Sequence, residues 1–385
     1  MKRKICVVVT ARPSYSRIRT ALRAIQEHPD LELQLVVAAS ALLERYGTAI
    51  DTIEADGFDI AAKVYMVLEG ENLQSMAKTT GLGIMELATA FGNLEPDAVV
   101  TIADRYETLA TTVAASYMNI PVVHVQGGEV TGSIDEKVRH AVTKLSDLHL
   151  VSTAGAAERV TRMGERPESV HVTGCPSVDI AREVVDRRGR ALDFDPVERY
   201  GGVGDEFTPE DYIVVLQHPV TTEVEQSRQQ ALISLRAVRE LNVPTYWFWP
   251  NVDAGSDGTS KAIRSFRELE DASGMRFFKS MAPSDFLVLL LGSRCLLGNS
   301  SVGIRECSYL GIPVVNVGSR QAGRERGGNV VDCAYSQEDV VAAARRQMEN
   351  GPFPCDELYG DGQAGHRIAA KLAAEELTIE KRITY

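Results

Sequence analysis

Short runs of β-branched residues alternate along the whole chain with longer stretches whose apolar residues recur at helical spacing. A strand that must be followed by a covering helix before the next strand pairs with it is a crossover unit, so the pattern demands parallel sheets sheathed by helices. In the first half the strands are expected at 4–10, 32–38, 98–103, 121–125, 148–151 and 170–172. Segments 17–27 and 74–91 read as crossover helices, with Ile18, Leu22 and Ile25 on one face of the first. The second half repeats the rhythm, with strands near 212–217, 244–249, 295–297 and 312–317. At 385 residues the chain is long enough for two such domains, each doubly wound. The first is expected to comprise 1–176 plus 363–385, the last helical segment crossing back, and the second 177–362. The charged, Gly-rich and aperiodic stretch 186–211, entered from Cys175 and Pro176, reads as the linker.

Other classes fall away on composition. A hydrophobic share of 44% and a charged share of 24% are those of a globular protein. With 41 Lys and Arg against 53 Asp and Glu, the net charge is −12 and no basic patch stands out, so nucleic acid is not an expected partner. The six cysteines never fall in a CxxC pair, which reads as reduced thiols, and His124, His140 and His149 show no metal-ligand spacing. The N-terminal apolar run is too short for a signal peptide, and 286–297, the most apolar stretch, is interrupted by Arg294 and too short to span a bilayer. A cytoplasmic protein with no membrane association, no cofactor and no metal is expected.

In open parallel sheets ligands sit beyond the carboxyl ends of the strands. The segments at those positions are polar: TARPSYS at 10–16, DRYE at 104–107, HVQGGE at 124–129, then QHP at 217–219, NVD at 251–253, GNSS at 298–301 and GSR at 318–320. Two such rows imply a cleft between the domains. Neither GxxxxGK[ST] nor a GxGxxG tied to a strand occurs, which argues against a P-loop and a standard dinucleotide site. GNSS instead runs from a strand into a helix expected over 302–310, where free amides and the helix dipole favour a diphosphate. Ser300 is equally readable there as a plain helix cap. Glu306, one turn in, suits ribose hydroxyls, while Arg12, Arg320 and Arg324 suit the remaining negative charge. Asp104, Glu129, Asp135 and Glu136 are the acid/base candidates, each also readable as a solvated turn or cap residue, and His218 is a candidate proton donor to a leaving phosphate. Trp247 and Trp249 read as core.

Seven segments, in order along most of the chain, carry a resemblance: DRYE from Asp104, GGEVTGSIDE from Gly127, RHAVTKL from Arg139, LQHPVTT from Leu216, PNVDAGS from Pro250, GNSSVGIRE from Gly298 and GSRQAGRERGGNV from Gly318. The chain resembles the hydrolysing UDP-N-acetylglucosamine 2-epimerases of sialic acid biosynthesis. The resemblance implies a GT-B fold of two Rossmann-like domains facing across a cleft, and conversion of UDP-GlcNAc and water into ManNAc and UDP through a glycal. It implies that Asp104 and Asp135 are catalytic carboxylates and that His218 assists UDP departure. Arg12, Ser16, Arg105, Asn251, Asp253, Ser300, Ser301 and Glu306 fall with the nucleotide-sugar contacts. A homodimer or homotetramer is the implied assembly. The family segment HIEGGE reads HVQGGE here, so Gln126 stands where a catalytic glutamate is usual; an amide exchanges no proton near neutral pH but hydrogen-bonds a sugar hydroxyl or a water. Glu129 and Glu136 are then the nearby carboxylates. The altered turn leaves open a UDP-2,4-diacetamido-2,4,6-trideoxyhexose as substrate, or a GT-B glycosyltransferase using a UDP-sugar.

Overall fold

The computed structural model describes residues 2–43, 49–68, 73–102, 105–131, 134–188, 192–207, 210–250 and 254–384. Two compact units emerge: residues 1–129, 134–179 and 359–385 form the first, and 130–133 with 180–358 form the second.

The first unit is built from β1 (Arg3–Val9), α1 (Arg12–Glu27), β2 (Leu31–Ala38), α2 (Ala49–Ala55), β3 (Ile60–Val64), α3 (Leu73–Leu94), β4 (Ala98–Ile102), α4 (Tyr106–Tyr117), β5 (Val122–Val125), α5 (Asp135–Leu145), β6 (Leu148–Val151), α6 (Ala154–Arg162) and β7 (Val170–Val172). Its strands pair in parallel in the order β3-β2-β1-β4-β5-β6-β7. Both faces of this sheet are covered. Ile5, Val7, Leu35, Val37, Val100 and Val123 pack on one side with Ile18, Leu22 and Ile25 of α1, while Cys6, Val8, Val36 and Val99 meet Leu87 and Phe91 of α3 on the other. Each fully buried aliphatic side chain contributes about 1.5 to 3 kcal/mol to the collapse.

The second unit holds most of α7 (Pro176–Arg188), then α8 (Pro196–Tyr200), β8 (Val203–Gly204), β9 (Ile213–Leu216), α9 (Ser227–Leu241), β10 (Thr245–Phe248), α10 (Ser256–Leu269), β11 (Met275–Phe278), α11 (Pro283–Leu291), β12 (Leu296–Gly298), α12 (Ser301–Ile304), α13 (Glu306–Leu310), β13 (Val314–Val317), β14 (Val330–Cys333) and α14 (Gln337–Asn350); α15 (Ala364–Ala374) belongs to the first unit. Its sheet runs β14-β13-β12-β9-β10-β11-β8, parallel except for the antiparallel edge pair of β11 and β8. Trp247 is fully buried in the core of this unit, as its place in the strand requires.

Every strand expected from a β-branched run forms, and β3, β8, β11 and β14 are additional. One expectation is corrected. The segment entered at Pro176 is no aperiodic linker: α7 spans Pro176–Arg188 and α8 follows. Proline at the first helical position fixes φ without losing a useful N–H, and Ile180, Ala181 and Val184 give α7 an apolar stripe despite its charges.

Among the described residues, no helix is long and apolar enough to cross a membrane. The chain returns to the first unit beside the point where it left. Cys175 N–H donates to the Tyr359 carbonyl at 2.7 Å, and the Asp179 carboxylate caps α15 by accepting from Ala364 N–H at 2.9 Å and Gly365 N–H at 2.7 Å. Thr20 Oγ1 donates to the same carboxylate at 2.9 Å. Asp179→Ala is therefore expected to cost about 2 to 4 kcal/mol by orphaning buried donors, and Asp179→Asn less, because one acceptor oxygen remains. The check is the denaturant midpoint of unfolding; equal midpoints for wild type and Asp179→Ala would refute the capping role.

Candidate active site

Both sheets reverse their winding direction at one place, between β1 and β4 in the first unit and between β9 and β12 in the second. Connections leave such a pair toward opposite faces, so the loops beyond their carboxyl ends part and leave a crevice for a ligand. Most sequence-derived candidates lie on these loops or on those of the next strands outward. Asp104, Asn251 and Asp253 fall outside the described residues.

In the first unit, Arg12 opens α1 directly after β1, and Ser16 lies one turn on, its hydroxyl donating to the Arg12 carbonyl at 3.3 Å. Both side chains are half-buried. Arg105, just before α4, forks onto the fully buried Glu107 through Nε and Nη2, each 3.2 Å from a carboxylate oxygen. A guanidinium held that way keeps a fixed plane, which suits bidentate recognition.

The turn after β5 is more heavily tied. Gln126 has φ +67 and Gly128 φ +72, and a Cβ on Gly128 would lie 2.3 Å from the Ala156 carbonyl oxygen, so glycine is required there. Gln126 is buried; its Nε2 donates to Cys175 Sγ at 2.9 Å, and its Oε1 has no partner. Cys175 Sγ in turn lies 3.0 Å from Ser177 Oγ. Glu129, 3% exposed, accepts from Ser152 Oγ at 3.1 Å. Two arginines hold the turn by its carbonyls: Arg139 Nη1 donates to Glu129 O and Arg159 Nη1 to Gly128 O, both at 2.8 Å. Arg139 also pairs with Glu136 at 2.7 Å, and His140 lies 3.0 Å from the other Glu136 oxygen, so Glu136 is engaged by two partners within α5. Asp135 is half-buried at the first position of α5.

In the second unit, β12 lies directly beside β9, with Leu216 opposite Gly298. Gly298 adopts φ +142, and a Cβ there would stand 2.1 Å from the Leu216 oxygen. Asn299 follows and clamps the neighbouring turn: His218 N–H donates to its Oδ1 at 2.7 Å, and its Nδ2 donates to the His218 carbonyl at 2.8 Å. Its own carbonyl accepts from Arg320 Nη1 at 3.1 Å and from Gln321 Nε2 at 2.9 Å. His218, Ser300 and Arg320 are thus brought onto three adjoining strand ends. His218 itself is 4% exposed.

The helix expected over 302–310 is corrected here. It is two short helices divided at Arg305, which keeps right-handed helical φ and ψ of −100 and −72 and has its side chain buried. Ser300 does cap α12, accepting from Val302 N–H at 3.4 Å, so the plain capping role is met and the long-helix dipole is not available. The break has a consequence of its own: Glu306 begins a new turn, and its Oε2 is buried without a partner. A buried carboxylate oxygen with no donor is costly unless a ligand supplies one. Sequence reasoning missed Asn299 and Cys175 as organising residues. Asn299 carried a signal, a polar amide immediately after a strand end; Cys175 carried none, because its partner is distant in sequence.

The chain matches the family model described as UDP-N-acetylglucosamine 2-epimerase over residues 23–373. It is 34% identical to the UDP-N,N'-diacetylbacillosamine 2-epimerase (hydrolyzing) of Legionella pneumophila, covering 95% of this chain and 94% of that one. Against the UDP-N-acetylglucosamine 2-epimerase of Neisseria meningitidis the identity is 28%, covering 94% and 92%. Among solved structures, UDP-GlcNAc 2-epimerase from Methanocaldococcus jannaschii, in complex with UDP-GlcNAc and UDP, superposes with a TM-score of 0.78 at 17% identity, covering 97% of this chain and all of that one, which speaks for the fold. With a doubly wound pair of units, candidate residues at their strand ends, and a family match that runs through both, the chain belongs to the UDP-N-acetylglucosamine 2-epimerase family.

Proposed function

We propose that this enzyme is a hydrolysing 2-epimerase: it removes UDP from a UDP-2-acetamido sugar and releases the free sugar inverted at C2. The observation that carries the nucleotide half is Glu306, whose buried, unpartnered oxygen beside the GNSS turn is suited to accept from ribose hydroxyls. Ser300, Ser301 and Arg320 line neighbouring strand ends and are assigned to the diphosphate, and Arg12, Ser16 and Arg105 are assigned to the nucleotide sugar.

The reaction divides into two steps. A carboxylate takes the C2 proton while the C1–O bond breaks, its electron pair leaving on the diphosphate, and C1=C2 forms. Water then adds its oxygen to C1, and C2 regains a proton on the opposite face. Asp135, at the first position of α5, is assigned a proton transfer, with Asp104 as the second carboxylate. Glu129, buried and accepting from Ser152, is assigned as a further carboxylate of the site. His218, its backbone fixed by Asn299, offers a proton or hydrogen bond to the departing phosphate, where charge develops in the transition state.

The sugar has two readings. UDP-GlcNAc, giving ManNAc, is the first. The second, a UDP-2,4-diacetamido-2,4,6-trideoxyhexose, is favoured by two observations: Gln126 is a neutral buried amide in place of the usual glutamate, and the Legionella relative carries a diacetylated sugar in its name. We adopt the second as the preferred substrate. It predicts a kcat/KM at least about tenfold higher on the diacetamido sugar, since a buried polar group left unpaired by the wrong substrate costs that much or more; equal values, or a preference for UDP-GlcNAc, would return the substrate to the first reading.

Two substitutions test the division of roles. Asp135→Asn is expected to lower kcat by about 10²- to 10⁴-fold with UDP affinity unchanged, the range for a lost general acid or base; weakened UDP binding at unchanged kcat would mean the residue is misassigned. Glu306→Gln is expected to weaken UDP binding by about 10- to 100-fold in calorimetry, as loss of a charge-assisted hydrogen bond does. An unaltered affinity would remove Glu306 from the nucleotide site.

A further inference from the structure

The helix that begins with Asp135 ends in a corner closed by the last residues of the chain, and those residues lie after position 373, where the family match stops. Lys381 donates through Nζ to the carbonyls of Thr143 and Ser146 and to Glu165 Oε2. Thr143 is in the last turn of α5, where carbonyls lack helical partners and the dipole favours a cation, so Lys381 caps α5 from 235 residues beyond Ser146. From the helix itself Lys144 reaches the same carboxylate, 2.5 Å from Glu165 Oε1, and donates to Met163 O at 3.0 Å.

Glu165 is 3% exposed, and His149 Nε2 lies 3.1 Å from its second oxygen. Burial alone would raise this carboxyl, but the bonds from His149, Lys144 and Lys381 outweigh it and hold it down to about 2. The tail is fastened at its far end as well: Thr384 N–H donates to Gly164 O at 3.0 Å, and Thr384 Oγ1 to Glu165 O at 3.2 Å. Gly164 has φ +88, and a Cβ there would stand 2.6 Å from Ile383, so the tail seats directly on glycine backbone.

We propose that the tail segment 381–384 is a positioning strap for α5, with Lys381 as the residue that fixes the angle at which the helix delivers Asp135. The first half of α5 is tied through Arg139 to the Glu129 carbonyl, and the second half through Lys144 and Lys381 to Glu165. An eleven-residue helix is about 16 Å long and stiff, so a small tilt at its end displaces its start by a comparable amount. A misplacement of about 1 Å at a reacting group lowers rate by up to about 10²-fold. This inference rests on the role given to Asp135 above.

The experiment uses the full chain with Lys381→Met and Lys381→Arg, read by hydrogen exchange of peptides covering 135–145 and by steady-state kinetics on the UDP-sugar. Lys381→Met is expected to speed exchange in α5 and lower kcat about tenfold with KM unchanged, and Lys381→Arg to restore most of both. Unaltered α5 exchange in Lys381→Met overturns the strap whatever the activity. Faster exchange with unchanged kcat, or a change confined to KM, overturns the positioning role. Asp135→Asn run alongside separates the two claims: wild-type turnover there defeats the Asp135 role and the kinetic half of this inference, while α5 exchange still judges the strap. Should Lys381→Met fail to fold, Thr384→Val, which removes only the bond to Glu165 O, is expected to move both readouts in the same direction by a smaller amount, and no movement counts against the strap.

Discussion

The side-by-side pairing of β9 and β12 is the constraint on which the nucleotide side of this protein depends. The loops that leave two such parallel strands toward opposite faces part beyond their carboxyl ends, and the chain uses the opening twice. Gly298 lets the backbone of β12 run close against Leu216, and Asn299 then spends both ends of its amide on the His218 backbone. A buried amide satisfied by two backbone groups fixes two turns as one body, so the His218 backbone and the GNSS turn keep their spacing. Arg320 and Gln321 add a third strand end to that body through the Asn299 carbonyl.

The first unit solves a similar problem with charge. Its turn after β5 carries Gln126 at positive φ and a buried carboxylate, neither of which is favourable alone. Arg139, Arg159 and Ser152 supply the compensating donors, and each of the two arginines binds a turn carbonyl from a different helix. Glu129 is thereby kept in a dry setting beside Asp135's helix, while Glu136, equally acidic in sequence, is consumed by Arg139 and His140. Neighbouring carboxylates given different surroundings are the usual means by which one fold runs acid and base chemistry together.

Much of this was legible before any coordinates. Interior strands of a parallel sheet are buried on both faces and read as unbroken β-branched runs, which is why β1, β4, β9 and β13 were visible. The strands that escaped lie at or next to the edges: β3 contains Lys63, β8 is only two residues, β14 contains Asp332, and β11 is four residues with Arg276 inside it. The candidate residues beyond the central strands followed from topology. What did not follow was their anchoring. The Gln126 contact with Cys175, the Asn299 clamp and the break at Arg305 depend on packing between segments far apart in sequence, and periodicity carries no information about such contacts. Ser300 shows the reverse case, since a helix cap and a ligand contact look the same in sequence and the cap is present in the fold.

The central claim is a hydrolytic elimination at C1–C2, and it is tested most directly by proton NMR of the enzyme with its UDP-sugar in deuterated water. The account predicts free UDP together with a reducing 2-acetamido sugar of inverted C2 configuration that carries deuterium at C2. Retention of UDP on the epimerised product would contradict hydrolysis. Release of UDP only when an acceptor is present, or a product that keeps its original C2 proton, would contradict the elimination itself.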